Sequence, residues 1–236
     1  MSISRESIED TVKNGLLGDI FRFERNLALI RKIVEYSELI NDSSNGNFGL
    51  AFHSIRSALS TEAVLAATRI NDKPNSRYPT RCLRGLLGYL EQFHEELPCL
   101  REKHQLLLLL STRDNTRHLM ESVQNAPHDF SIELKRYVFF ELEVSPLVEL
   151  TQELKTYRDK VLAHNENAEN IVSPLWVSIE ELISLAKFVV GVLGWAYFST
   201  AYSANGEYIL TRDAMRSSIC LDRLIKQLYG AGDGNA

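Results

Sequence analysis

Apolar residues recur at intervals of three and four along nearly the whole chain, whereas the alternation of a half-buried strand is hard to find. The spacing predicts an all-α fold, a multi-helix bundle. A first amphipathic stretch runs from Ile8 to Ile20, and a second passes through Phe21, Leu27, Ile30, Ile33, Val34 and Leu39 to a breaker loop at Asn41 to Gly49. The third helix is expected from Leu50 to Arg69, with Phe52, Ile55, Leu59, Ala63, Ala66 and Ile70 as its buried stripe. It should stop ahead of Asp72-Lys73-Pro74, because the residue before a proline is pushed out of the α region. Arg81 to Leu97 forms the next helix and ends at Pro98.

The run Leu106 to Leu110 belongs to a buried helix, and Arg113 to Gln124 leads to a loop over Asn125 to Asp129. A long pattern then starts near Ser131, kinks at Pro146, and continues through Val148, Leu150, Leu154 and Tyr157 towards His164. Asn165 to Asn170 reads as a turn, and Ser173-Pro174 opens a helix whose Trp176, Ile179, Ile183, Phe188, Val190 and Trp195 face apolar neighbours. Gly191, Gly194 and Ala196 permit close helix approach. Thr211 to Tyr229 is the last helix, followed by a frayed tail over 230–236. With no repeat or linker, the chain reads as one domain over 1–236, its motif-bearing core at roughly 131–205.

Composition changes this picture little. A 236-residue chain that is 44% hydrophobic and 24% charged can bury a sizeable core. A net charge of −5 disfavours binding nucleic acid through whole-surface attraction, leaving room for a local basic cleft. Cys82, Cys99 and Cys220 are far apart, with neither a disulfide framework nor zinc spacing, and read as reduced thiols. The polar, acidic start does not resemble a secretion signal, so a cytoplasmic location is the expectation. Leu182 to Tyr202 is apolar over about a bilayer span, but Lys187, Ser184, Ser199 and Thr200 interrupt it and a buried helix explains it as well. No membrane partner is expected.

Phosphate-binding glycine loops are absent, and His53, His94, His104, His118 and His128 lack a metal-ligand spacing, so no cofactor and no metal are expected. An all-helical chain has no strand-turn-helix elbow for a serine nucleophile. What stands apart is Tyr157-Arg158-Asp159-Lys160-Val161-Leu162-Ala163-His164-Asn165-Glu166. It carries an Arg followed at once by a carboxylate, then a His after five intervening residues. This segment resembles the ribonuclease motif of the HEPN superfamily, in particular its abortive-infection branch. The earlier Ala67-Thr68-Arg69-Ile70-Asn71-Asp72 is similar to that branch's Arg-x-x-Asp helix end, which makes Arg69 and Asp72 secondary candidates.

The resemblance implies a metal-independent endoribonuclease of a defence or toxin type, with RNA as substrate, a homodimer, and an antitoxin or regulatory protein as a further partner. RNA carries its own nucleophile in the 2′-OH, and a His near neutrality such as His164 can take that proton or give one to the leaving 5′-oxygen. Arg158 keeps its charge and can hold two oxygens of a phosphorane through its planar fork. Asp159 can accept a hydrogen bond from either residue and fix its orientation. The product carries a 2′,3′-cyclic phosphate. On a straight α-helix, residues six apart lie about 120° around the axis from each other and rise about 9 Å. The family's answer to that loose pairing is a cleft between two copies, each giving an Arg and a His. The motif helix, with the apolar stretch around Gly191 to Tyr202, is the expected dimer surface.

Blander readings stay open. The polar cluster can be a helix C-terminal cap, with Lys160 and His164 set against the dipole. Arg69 and Asp72 can be a local surface ion pair or a helix stop. The alternative function is a non-catalytic module of the same scaffold that binds RNA or a protein partner, and a third is a helical interaction protein of another kind.

Overall fold

The computed structural model describes residues 3–42, 48–74, 81–144, 147–163, 174–204 and 207–230. These residues are mostly helical. In chain order the helices are α1 (Ile3–Thr11), α2 (Leu17–Glu35), α3 (Ser37–Asn41), α4 (Gly49–Asn71), α5 (Leu83–Gln92), α6 (Lys103–Leu110), α7 (Arg117–Asn125), α8 (Phe130–Glu143), α9 (Leu147–Tyr157), α10 (Trp176–Leu193) and α11 (Ile209–Leu228). Wider π-helical turns occupy Val12–Leu16, Arg158–Ala163 and Gly194–Phe198. The strand content is one antiparallel pair, β1 (Ser203–Ala204) and β2 (Glu207–Tyr208). The loop at 43–47, Pro146, the turn at 165–170 and the tail beyond 230 lie outside the described residues.

Backbone contacts group the chain into two compact units, one built from 1–20 with 67–209, the other from 21–66 with 210–236. The larger unit is organised around α10. Ile179, Leu182, Ile183, Leu185 and Ala186 are buried on one face while Val177, Glu181 and Ser184 stay exposed on the other, and from Phe188 to Leu193 every residue is buried. α10 packs against α6 and α9. α5 shows the simpler logic of a surface helix: Leu83, Leu86, Leu87 and Leu90 fall at i, i+3, i+4 and i+7, and all are buried. Each such leucine contributes roughly 1.5–3 kcal/mol of burial. Cys82 caps the start of α5, its Sγ accepting from the Gly85 amide at 3.3 Å.

α7 and α8 are packing elements. Leu119, Val123, Phe130, Leu134 and Val138 are fully buried. α7 starts four residues later than predicted, because the chain turns through a left-handed Asn115 and Thr116 Oγ1 donates to the Leu110 carbonyl at 2.7 Å. The Arg113 guanidinium donates to Tyr137 Oη at 2.9 Å and lies over the Phe188 ring. Burial raises the Tyr137 pKa above the ordinary phenol value.

Over 182–202 one expectation changes, that of a surface for a second copy. No helix among the described residues is long and apolar enough to cross a membrane. α10 ends at Leu193, and the chain reverses through a left-handed Ser199 into β1. The glycines do serve close approach, within this unit: a Cβ on Gly191 would stand 2.9 Å from Ser203 Oγ, and one on Gly194 would stand 2.4 Å from the Thr200 carbonyl oxygen. Residues 191–194 and 196–198 are thereby buried. Most of the side chains expected at a dimer surface here are therefore taken up by packing within the unit, while Ser199 and Ala201 stay exposed.

The smaller unit gathers Ile33, Ile40, Phe52 and Ile225 into a core flanked by Tyr36, Leu59 and Leu221. The predicted α4 stripe holds at Phe52, Ala63, Ala66 and Ile70, but Ile55 is 48% exposed.

Candidate functional site

The site is built in the larger unit, where the last turn of α4 faces α9. On α9, Leu147, Leu150 and Leu154 point to the core. The adjoining face carries Thr151, Lys155 and Arg158 at spacings of four and three, which places all three on one side of the helix. On α4, Ala67 and Ile70 are buried, while Thr68 and Asn71 share the next face at three-residue spacing and Asp72 follows the last turn. The two faces enclose a recess of about 490 Å³, lined by Asn71, Asp72, Lys73, Val148, Lys155 and Arg158 among others.

Arg158 joins the two segments that the sequence singled out separately. Its Nη1 donates to Asp72 Oδ1 at 2.7 Å, across 86 positions of chain, and its Nε donates to Asp159 Oδ1 at 2.7 Å. The guanidinium pKa is raised above its usual value, first by the hydrogen bond to Asp159 and then by the charge of Asp72. Arg158 therefore stays a cation at any working pH. Both pairs keep part of their surface in water, with Arg158 29% and Asp72 31% exposed, so each contributes at most about 1 kcal/mol to stability. Their larger effect is on geometry. Two carboxylates on different nitrogens fix the plane of the fork, so its direction at the recess is set in advance.

The other candidates are placed as follows. Arg69 turns to Asp19, its Nε donating to Oδ1 at 2.9 Å, and this pair ties α4 to the start of α2. Arg69 and Asp72 thus have partners in different segments. Tyr157 is half-buried. Lys160 is exposed. The straight-helix geometry expected for the motif does not apply, because Arg158–Ala163 is π-helical. Such a turn takes an extra residue per bond and changes the angle between successive side chains, and π turns recur at functional sites. His164 lies outside the described residues.

Sequence reasoning missed Asn71, Thr151, Lys73 and Lys155. Lys155 was findable, since it precedes Arg158 by three on a predicted helix. Asn71 lies inside the segment Ala67 to Asp72, where only Arg69 and Asp72 carry charge. Its Nδ2 donates to Thr151 Oγ1 at 2.6 Å, and its buried Oδ1 has no partner among the described residues. An unanswered acceptor of this kind costs about 1–3 kcal/mol. Among the described residues, no cluster of His, Cys, Asp and Glu could hold a metal ion.

Comparison with protein-family models, curated proteins and solved structures finds no match to this chain. The site is therefore read from its own chemistry. It presents two lysines and a guanidinium fixed by two carboxylates, Asp72 in the lining and Asp159 beside it. Such a set can bind a phosphodiester and stabilise charge that builds on it.

Proposed function

We propose that this chain is a metal-independent endoribonuclease of a defence or toxin type, with Arg158 holding the scissile phosphate. The observation that carries the reading is the Arg158–Asp72 bond at the recess: it brings together the two segments that each resemble the abortive-infection HEPN pattern. In the proposed reaction the 2′-oxygen bonds to phosphorus while the bond to the 5′-oxygen breaks. His164 takes the 2′-OH proton or supplies the proton that the leaving 5′-oxygen needs, and the strand ends in a 2′,3′-cyclic phosphate. Arg158 stabilises the phosphorane charge, and Asp72 and Asp159 hold its fork in place.

Two copies are proposed to contribute an Arg and a His each to one cleft. Phe140, Val144 and Val148, exposed by 59%, 42% and 40%, offer apolar surface that such a contact would cover. Val148 is also a wall of the recess.

A second reading is favoured by one specific observation. The charge of Arg158 is already met by two carboxylates, as it would be in a module that binds RNA or a protein partner without cutting. Total RNA incubated in EDTA with wild type and with His164→Ala decides between them. The nuclease reading expects fragments with cyclic-phosphate ends from wild type alone. Intact RNA in both tubes, with RNA retained on the protein, supports the second reading and overturns the first.

A further inference from the structure

The cations around the recess differ in how far their charge is already answered. Arg158 gives its Nη1 to Asp72 and its Nε to Asp159, so that group of three is negative as a unit. Lys73 makes a contact of its own. Lys155 lines the recess, is exposed, and among the described residues makes no hydrogen bond or ion pair. With Asp159 counted, three cations stand against two carboxylates, and the recess as a whole is only slightly positive. Where an anion settles in it is then decided by which cation is uncommitted, and that cation is Lys155.

Helix geometry sets Lys155 beside Arg158. Val148, Thr151, Lys155 and Arg158 follow one another at intervals of three, four and three, and all four line the recess. Residues three apart on one helix face hold their Cβ atoms about 5–6 Å from each other. The flexible lysine stem spans such a gap, so the ammonium and the guanidinium can meet oxygens of one phosphodiester. The acidic residues of α9, Glu149 and Glu153, fall off this strip and do not line the recess. The two cations also differ in kind. The Arg158 fork is fixed and its charge balanced, so it answers chiefly to charge that builds during a reaction. An uncommitted ammonium attracts an anion equally before and during the reaction, which is uniform binding.

We propose that Lys155 is the binding residue that draws a backbone phosphate of single-stranded RNA into the recess, through an ion pair made before any bond changes. This rests on reading the recess as the place where RNA is held, and it divides the work there: Lys155 sets affinity, and Arg158 sets rate. A contact to phosphate alone carries no base preference, so the effect of Lys155 is the same for every sequence.

The test is fluorescence-anisotropy titration of the full chain with labelled oligouridine and oligoadenosine that carry 2′-O-methyl groups and cannot be cut, over a range of salt concentrations. Wild type is expected to bind both. Lys155→Gln should weaken both by the same factor, about three- to tenfold, and lower the steepness of the salt dependence by about 0.7 for the charge lost. Its unfolding temperature should equal that of wild type, and Lys155→Arg, which keeps the charge, should bind nearly as wild type does. Lys103→Gln, at an exposed position at the start of α6 and outside the recess lining, removes the same net charge and should leave binding unchanged. On RNA that can be cut, Lys155→Gln should raise the half-saturating RNA concentration and leave the single-turnover rate at saturation as it was. Unchanged affinity in Lys155→Gln, an equal loss in Lys103→Gln, a loss in Lys155→Arg as large as in Lys155→Gln, a loss confined to the saturated rate, or no binding by wild type overturns the proposal. Binding is read here without cutting, so Lys155-dependent binding with no cleavage of natural RNA sinks the nuclease reading alone, and cleavage with binding indifferent to Lys155 sinks this proposal alone.

Discussion

Two polar clusters in this molecule are near mirror images in charge. In the larger unit one cation, Arg158, is held by two carboxylates, Asp72 and Asp159, each at 2.7 Å. In the smaller unit one carboxylate, Asp222, is held by Tyr36 Oη at 2.8 Å, Lys226 at 3.0 Å and Lys32 at 3.5 Å, which ties α2 to α11. Both stitch helices distant in sequence. What separates them is the surroundings. The Asp222 cluster uses lysines, whose ammonium groups are adaptable point charges, and it completes a fastening. The Arg158 cluster uses a planar fork and faces a 490 Å³ recess with two further lysines. An ion pair is thus a weak sign of function by itself, and the recess with further cations beside it is the stronger one.

If that contrast is right, exchanging the cation type should matter on one side only. Arg158→Lys keeps the charge and loses the fork, and RNA cleavage should fall about a hundredfold. Lys226→Arg in the other cluster should leave cleavage and melting nearly unchanged. Initial rates and thermal unfolding of both variants measure this, and equal losses would erase the distinction.

A smaller effect probes what the carboxylates do. Asp72→Asn removes a charge that both orients Arg158 and competes with phosphate for it. Turnover should drop about tenfold while RNA binding tightens a few-fold, a split visible in single-turnover rates and filter binding. Parallel loss of both would mean that Asp72 serves packing alone.

The smallest effect belongs to Asp222. Hydrogen bonding from Tyr36 first, and from Lys226 next, holds its carboxyl below the usual aspartate range. A group with a depressed folded pKa adds stability that is complete above its unfolded value and is lost as pH falls through the folded one. Asp222→Asn should therefore lower the unfolding midpoint slightly at neutral pH, and the difference from wild type should vanish in acid. Unfolding curves taken across the acid limb check it, and a gap that persists at low pH would exclude the linkage.

Much of the helical frame was legible in the chain. α5 follows from Leu83, Leu86, Leu87 and Leu90 alone, and α4 ends where Pro74 requires. Ile55 failed because an apolar spacing says which residues share a face but not whether a neighbour covers it, and the first half of α4 stays largely exposed. The stretch 191–198 was apolar for a reason within its own unit, packing on Ser203 and Thr200, which local pattern cannot distinguish from an interface. Arg158 and Asp72 were each marked by local spacing, yet their bond was not legible, since nothing in either segment encodes a contact 86 positions away. The π turn at Arg158–Ala163 carries neither Gly nor Pro, so no local signal announces it.

The most direct test of the account sets the two clusters side by side: Arg158→Ala and Asp222→Asn, each assayed for RNA cleavage in EDTA and for melting. The account predicts that Arg158→Ala loses cleavage with its fold intact, while Asp222→Asn cuts as wild type does. Cleavage retained in Arg158→Ala, or lost equally in both, would contradict it.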